Sequence, residues 1–140
     1  MKGIVSIFIC VLLLSGIVHF ASAQVFIIAN NSVSETKLDR EAVERIFLGK
    51  KLQWSDGSLV VPVSLRSGGV HKAFMKNFLD RDPSQFSTYW KQAVFTGRGV
   101  PPKSFEREAD LIEFVAQTPG AIGYVSSIPS SKQVCKIDIK

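Results

Sequence analysis

Cysteine and histidine are scarce in this 140-residue chain, which contains two of each. Cys10 lies in an apolar N-terminal segment that we expect to be removed, which leaves Cys135 with no partner for an internal disulfide. A structural zinc site needs several clustered cysteine or histidine ligands, and His71 is the one histidine outside that segment. The sequence therefore predicts no disulfide framework, no metal site and no cofactor.

Long runs of one charge are also lacking. The formal net charge is +5, but lysines and arginines alternate with acids, as in residues 37–45. This alternation is typical of solvated helix faces, whereas a nucleic-acid-binding protein concentrates its basic residues in a stripe. We therefore predict no nucleic-acid partner. The mild positive balance is compatible with attraction for small anions.

The first 23 residues have the pattern of an export signal. Lys2 supplies a positive start, residues 4–20 are almost wholly apolar, and Ala21-Ser22-Ala23 provides a small-x-small cleavage site. We expect residues 1–23 to be a signal peptide and residues 24–140 to be a single periplasmic domain. An uncleaved N-terminal anchor is the alternative interpretation, which the polar interruptions of the apolar run disfavour.

The remaining sequence alternates apolar runs with helical periodicity, and turn-forming residues separate them. Strands are predicted over residues 25–29, 59–64, 121–125 and 134–139, and helices over residues 39–48, 70–79, 83–95 and 106–117. Strands separated by helices predict an α/β fold, with a small, mainly parallel sheet covered by helices on both faces. Core packing accounts best for the aromatic residues Trp54, Tyr89 and Trp90.

The most suggestive segment for binding is Arg66-Ser67-Gly68-Gly69, which follows a predicted strand and opens a predicted helix. A helix N-terminus offers free N–H groups and a partial positive charge, and glycines let an anion approach the backbone closely. Arg66 and Ser67 could add a charged contact and a hydroxyl. The alternative interpretation is a tight turn that binds nothing, because such turns have the same composition. His71 is either a residue that gains charge near a bound anion or a partly exposed first-turn residue.

A family resemblance rests on four motifs in the order Glu44-Arg45-Ile46-Phe47-Leu48-Gly49-Lys50, Trp54-Ser55-Asp56-Gly57, Pro62-Val63 and Thr118-Pro119-Gly120-Ala121-Ile122-Gly123-Tyr124-Val125. Together they resemble the periplasmic phosphate-binding proteins of ABC transporters, within the type 2 periplasmic-binding-protein superfamily. The resemblance extends over about residues 25–126 and is to a short form that contains one lobe. It implies one lobe of that fold and a non-enzymatic role in binding phosphate or a similar oxyanion.

The binding loop departs from the family pattern. Full-length members read Gly-Ser-Gly-Thr at the helix start, whereas this chain has Ser67-Gly68-Gly69-Val70-His71. The resemblance therefore carries over to Ser67, the glycines and, with a small shift, Arg66. Full-length members also enclose the ligand between two lobes, and the first of these is not recognisable in this chain.

Three functions follow as hypotheses. The leading one is a periplasmic domain that captures phosphate for ABC-type transport or sensing, and a homodimer could supply a second wall. The alternative is an interaction module that docks on a membrane transporter, a sensor or another periplasmic protein without binding a ligand. A hydrolase using Ser67 and His71 is disfavoured, because no nucleophile elbow and no orienting acid accompany them.

Overall fold

The computed structural model describes residues 22–140, so the signal-peptide prediction falls almost wholly outside the described residues. The strands are β1 (Phe26–Asn30), β2 (Lys37–Leu38), β3 (Val61–Leu65), β4 (Lys103–Phe105), β5 (Ala121–Val125) and β6 (Val134–Ile139). The helices are α1 (Arg40–Phe47), α2 (Gly69–Leu79), α3 (Pro83–Phe95) and α4 (Glu108–Gln117). All four predicted strands and all four predicted helices are present, with boundaries shifted by two residues at most.

The strands form one sheet in the order β2-β6-β1-β5-β3-β4. Three of the five pairings are parallel, namely β2 with β6, β3 with β4 and β3 with β5. Strand β1 is the exception, since it runs antiparallel to both of its neighbours, β5 and β6. The α/β class and the mainly parallel sheet are confirmed.

Helices cover both faces of the sheet. Gly123 of β5 faces α4 so closely that an added Cβ would lie 2.9 Å from the side chain of Leu111. The next residue, Tyr124, points to the opposite face, where its ring stacks on Phe74 of α2 at a centroid distance of 3.8 Å and lies near Phe47 of α1. The core therefore has two layers, with α4 on one side and the α1–α3 group on the other.

Side-chain capping explains where two of the helices begin. Asp39 accepts a hydrogen bond from the Ala42 amide at 2.7 Å and starts α1. Asp82 and Gln85 form a reciprocal capping box at the start of α3, followed by Pro83 in the first turn. Helix α2 differs, because its N-cap is Gly68, which has a φ of 99° and no side chain to offer.

Two short strands were not predicted. Strand β2 contains two residues and β4 contains three, which is too short for an alternating pattern to be visible in the sequence. Strand β4 lies in the stretch between the predicted helices over residues 83–95 and 106–117, where no strand was predicted. Strand β4 is the outermost strand beside β3, and Ser104 within it and Glu106 just after it contact the Arg66 side chain.

Both tryptophans are buried and hydrogen-bonded. The Trp54 indole N–H donates to the Gly120 carbonyl at 3.0 Å, and that of Trp90 donates to the Phe47 carbonyl at 3.2 Å. They therefore act in core packing, as predicted. None of the helices within residues 22–140 is long and apolar enough to cross a membrane.

Candidate anion-binding site

The carboxyl ends of three parallel strands meet at one end of the sheet, which we call the carboxyl edge. Strands β3, β4 and β5 end there, and the residues that follow them are Arg66, Glu106 and Ser126. The Arg66 amide donates to the Phe105 carbonyl at 2.9 Å, which fixes the β3 loop beside the β4 loop. In open α/β sheets, ligand crevices form at this edge.

The amino end of α2 opens at this edge with its first-turn amides unused. Within residues 22–140, no carbonyl or side chain accepts a hydrogen bond from the amides of Gly69, Val70 or His71. Gly68 and Gly69 are exposed, and a Cβ added at either would have no atom within 4 Å. These N–H groups can therefore receive an acceptor from solvent.

The other three helices have their positive ends compensated by the protein itself. Asp39 and Asp82 cap α1 and α3, and α4 carries Glu108 and Asp110 in its first turn. Glu108 is bound in turn by the amide and hydroxyl of Ser126, the latter at 2.8 Å. No acid occurs in the first turn of α2. Its partial positive charge therefore lacks a compensating side chain in that turn.

Arg66 already has a partner. Its guanidinium lies 3.2 Å from a Glu106 carboxylate oxygen and 3.4 Å from the Ser104 hydroxyl. Both charged side chains are largely exposed, at 60% and 77% of their free surface. Ion pairs of this kind typically contribute about 0–1 kcal/mol, so an incoming anion can exchange with Glu106 at small cost.

His71 is buried, with 5% of its surface exposed, and is not the partly exposed residue that one of the sequence interpretations described. Its Nδ1 lies 2.6 Å from the Tyr124 hydroxyl oxygen, and that oxygen accepts a hydrogen bond from the Leu65 amide at 2.9 Å. Burial lowers the pKa of His71, so the imidazole is neutral at pH 7. Its contribution to anion binding would therefore come from its backbone amide.

Tyr124 connects the floor of the site to the core. Burial raises the pKa of its phenol far above the ordinary value, so it keeps its proton. Through its hydroxyl, β5 contacts both the last residue of β3 and the first turn of α2. These two contacts lie on either side of the Arg66–Gly69 loop and set its position.

The five residues named from the sequence thus lie together at one edge, in different environments. Arg66, Ser67, Gly68 and Gly69 are exposed, and His71 lies beneath them. No hydrogen bond joins Ser67 to His71 in the described part of the chain, so the arrangement lacks the nucleophile–base contact of a serine hydrolase. Within residues 22–140, no cluster of three or more His, Cys, Asp or Glu side chains could hold a metal ion.

A concave groove adjoins Arg66 on the α3 side of this edge. Its volume is about 780 Å³, and its lining is mainly apolar. Leu65, Phe86 and Trp90 are buried side chains within it, while Val94 and Phe95 at its margin are exposed. The groove could not be predicted from the sequence, because its residues come from β3 and the loop after it, α2, α3, the loop before β4 and β4 itself.

The fold of the chain matches that of one lobe of solved substrate-binding proteins from phosphate transporters. Among solved structures, the chain is similar to an ABC-type phosphate transport receptor from Vibrio cholerae, with a TM-score of 0.61 and 18% identity. It is also similar to PstS from Borrelia burgdorferi, with a TM-score of 0.63 and 13% identity. A third similar structure is that of a phosphate ABC transporter substrate-binding protein from Clostridium perfringens, solved with bound phosphate, with a TM-score of 0.56 and 16% identity.

Each of these matches covers 82% of this chain and 44–46% of the solved protein, so the chain spans less than half the length of each. At these identities the likeness shows the fold. It confirms the resemblance to one lobe that the motifs had indicated. No protein-family model and no curated protein sequence matches the chain.

Proposed function

We propose that this chain is a periplasmic solute-binding domain, without enzymatic activity, that captures phosphate or a similar small oxyanion. It would reach the periplasm through the cleavable signal peptide at residues 1–23 and act in ABC-type transport or sensing. The observation that carries the proposal is the open start of α2, where the amides of Gly69, Val70 and His71 have no hydrogen-bond partner within residues 22–140 and where Gly68 and Gly69 are exposed. The solved proteins with the same fold are phosphate receptors, which supports this choice of ligand.

In this proposal the anion binds where the free amides and the guanidinium converge. The amides of Gly69, Val70 and His71 donate to its oxygens, and the partial positive charge of α2 stabilises it. Arg66 turns from Glu106 to the anion and adds a charged, two-pronged contact. The Ser67 hydroxyl is exposed nearby and supplies a further donor. Solvent reaches this edge, so affinity should be modest unless a second copy of the chain covers it.

Calorimetric titration of the purified protein with phosphate and with sulfate tests the proposal. We expect measurable binding at millimolar anion, which Arg66→Ala should weaken by at least about tenfold, because a hydrogen bond to a charged group contributes about 1.5–3 kcal/mol. Arg107→Ala is the matched control, since Arg107 is also exposed but pairs with Asp110 on α4. A wild-type protein that releases no heat with either anion would refute the proposal.

Glu106 offers a second and opposite test. It competes with a bound anion for Arg66, so removing its charge should strengthen binding. We expect Glu106→Gln to tighten phosphate binding several-fold, with the gain shrinking at high salt as charges are screened. A decrease in affinity would show that Glu106 holds Arg66 in a useful position and does not compete.

The ion pair of Arg66 with Glu106 also favours the second candidate, an interaction module that binds no anion. In that case Glu106 permanently neutralises Arg66, and the domain docks on a membrane transporter, a sensor or another periplasmic protein. A partner captured from periplasm equally by wild type, Ser67→Ala and Arg66→Ala, in the absence of any calorimetric signal, would select this function.

A further inference from the structure

We infer that the groove beside Arg66 binds the apolar part of an organic oxyanion, so that the preferred ligand is an aromatic phosphate or carboxylate and inorganic phosphate binds more weakly. The inference rests on the proposed function, because Arg66 belongs to both the oxyanion site and the groove lining. The groove then determines which oxyanion is preferred.

The size and shape of the groove fit a small organic molecule. A volume of about 780 Å³ far exceeds what an inorganic anion fills, and it falls in the ~300–1,000 Å³ range of small-molecule sites. Leu65 is the last residue of β3 and directly precedes Arg66, so the apolar lining of the groove begins at the residue next to Arg66. A ligand anchored at Arg66 therefore extends along apolar surface.

The margin of the groove exposes side chains that are usually buried. Phe95 at the end of α3 is 91% exposed, and Val94 beside it is 52% exposed. Exposed apolar residues grouped around a concavity are characteristic of binding surfaces, whereas single ones scattered over a protein are not. An aromatic group in the groove would cover both.

The charges around the groove select an anion. Arg66 and Lys91 both line it, together with hydroxyls such as those of Ser87 and Ser104, and no aspartate or glutamate lies among its lining residues. A ligand with an apolar body and a negative group matches this lining. A cationic ligand would be repelled by Arg66 and Lys91, and an uncharged ligand would gain no charged contact in exchange for the Glu106 carboxylate that pairs with Arg66.

Comparing phenyl phosphate, inorganic phosphate and phenol by calorimetry on the purified protein tests the inference. We expect phenyl phosphate to bind about tenfold more tightly than phosphate, because it also buries an aromatic ring. Phenol should bind more weakly than phenyl phosphate by at least that factor, since it has no charge for Arg66.

Phe95→Ser should reduce the preference for phenyl phosphate over phosphate while leaving phosphate affinity unchanged. Its exposure means that the substitution removes little from the core. Leu52→Ser is the matched control, because Leu52 is 66% exposed and lies outside the groove. A second variant, Val94→Ser, should reduce the preference in the same direction.

The outcomes separate this inference from the proposed function. Phosphate binding with no preference for phenyl phosphate, or equal binding of phenol, would overturn the groove assignment alone. No binding of any anion would overturn both. Two other outcomes would assign the groove to a protein interface. One is a dimer, seen by sedimentation, that dissociates when Phe95 is replaced by serine. The other is a protein partner that the same variant fails to bind and that phenyl phosphate does not displace.

Discussion

Gly120, which precedes β5, has a φ of 78° and lies against the backbone of Leu59. A Cβ at this position would lie 2.1 Å from the Leu59 carbonyl oxygen, so alanine would combine left-handed strain with a backbone clash. We expect Gly120→Ala to lower the free energy of unfolding by about 3 kcal/mol or more, as measured in urea. Gly97 is the matched control, because its φ is 68° with open space around it. Gly97→Ala should cost about 1 kcal/mol, and equal losses in the two variants would contradict this account.

His71 should make stability depend on pH in the mildly acidic range. Burial holds its folded-state pKa below the value of 6.5 expected in the unfolded chain. The unfolded state therefore takes up the proton first, and stability present above pH 6.5 is lost as pH falls below it, by at most about 1.4 kcal/mol per pH unit. Urea unfolding between pH 7.5 and 5 should show this slope, and His71→Gln should flatten it. The lowered carboxyl pKa values of Asp56, Asp82 and Asp110 act at lower pH, so a slope that persists in the variant would contradict the assignment.

Single residues differ in how far the sequence foretold their roles. Arg66 and the two glycines were recognisable because they adjoin one another between a strand and a helix. Glu106, some 40 positions away, was not, because only the parallel pairing of β3 with β4 brings it to the Arg66 guanidinium. The burial of His71 was missed for the same reason, since its partner Tyr124 comes from β5.

Among the elements, helix starts were the most predictable feature because capping is local. The Asp39 side chain satisfies an amide three residues away, and both groups are visible within one short stretch of sequence. Strand direction was less predictable. A helix between two strands implies a parallel pair when they are neighbours, but β1 pairs with β5 and β6, far along the chain, and its antiparallel direction has no local signal.

The cap of α1 gives a test at this scale. Asp39→Ala removes the acceptor for the Ala42 amide and should lower the free energy of unfolding by about 1 kcal/mol. Asp39→Asn keeps a side-chain oxygen at the same place and should lower the free energy of unfolding by only a few tenths of a kcal/mol. Urea unfolding of the two variants measures the difference. If both cost the same, the charge of Asp39 and not its hydrogen bond would be what stabilises α1.

Over the whole molecule, the site depends on a sheet whose centre is its first strand. β1 lies between β5 and β6, and its residues Ile27, Ile28 and Ala29 are almost completely buried. The Arg66–Gly69 loop is positioned from β5 through Tyr124, and β5 is itself paired with β1. A fold dominated by such long-range pairings should therefore keep or lose the site as a unit.

Chains that begin at different residues test this dependence. A chain that begins at Gln24, the expected product of signal cleavage, keeps β1 entire and should unfold cooperatively, as followed by circular dichroism. A chain that begins at Asn31 lacks β1, leaves β5 and β6 with unpaired edges and should show no cooperative transition. Removing residues 138–140 is the control, since among the strand pairings it deletes only that of β6 with β2 and should lower the midpoint while preserving the transition. A sharp transition in the chain that begins at Asn31 would contradict this account. It would show that α1–α4 and the remaining strands hold the loop without β1, so the position of the site could not depend on the pairing of β5 with β1.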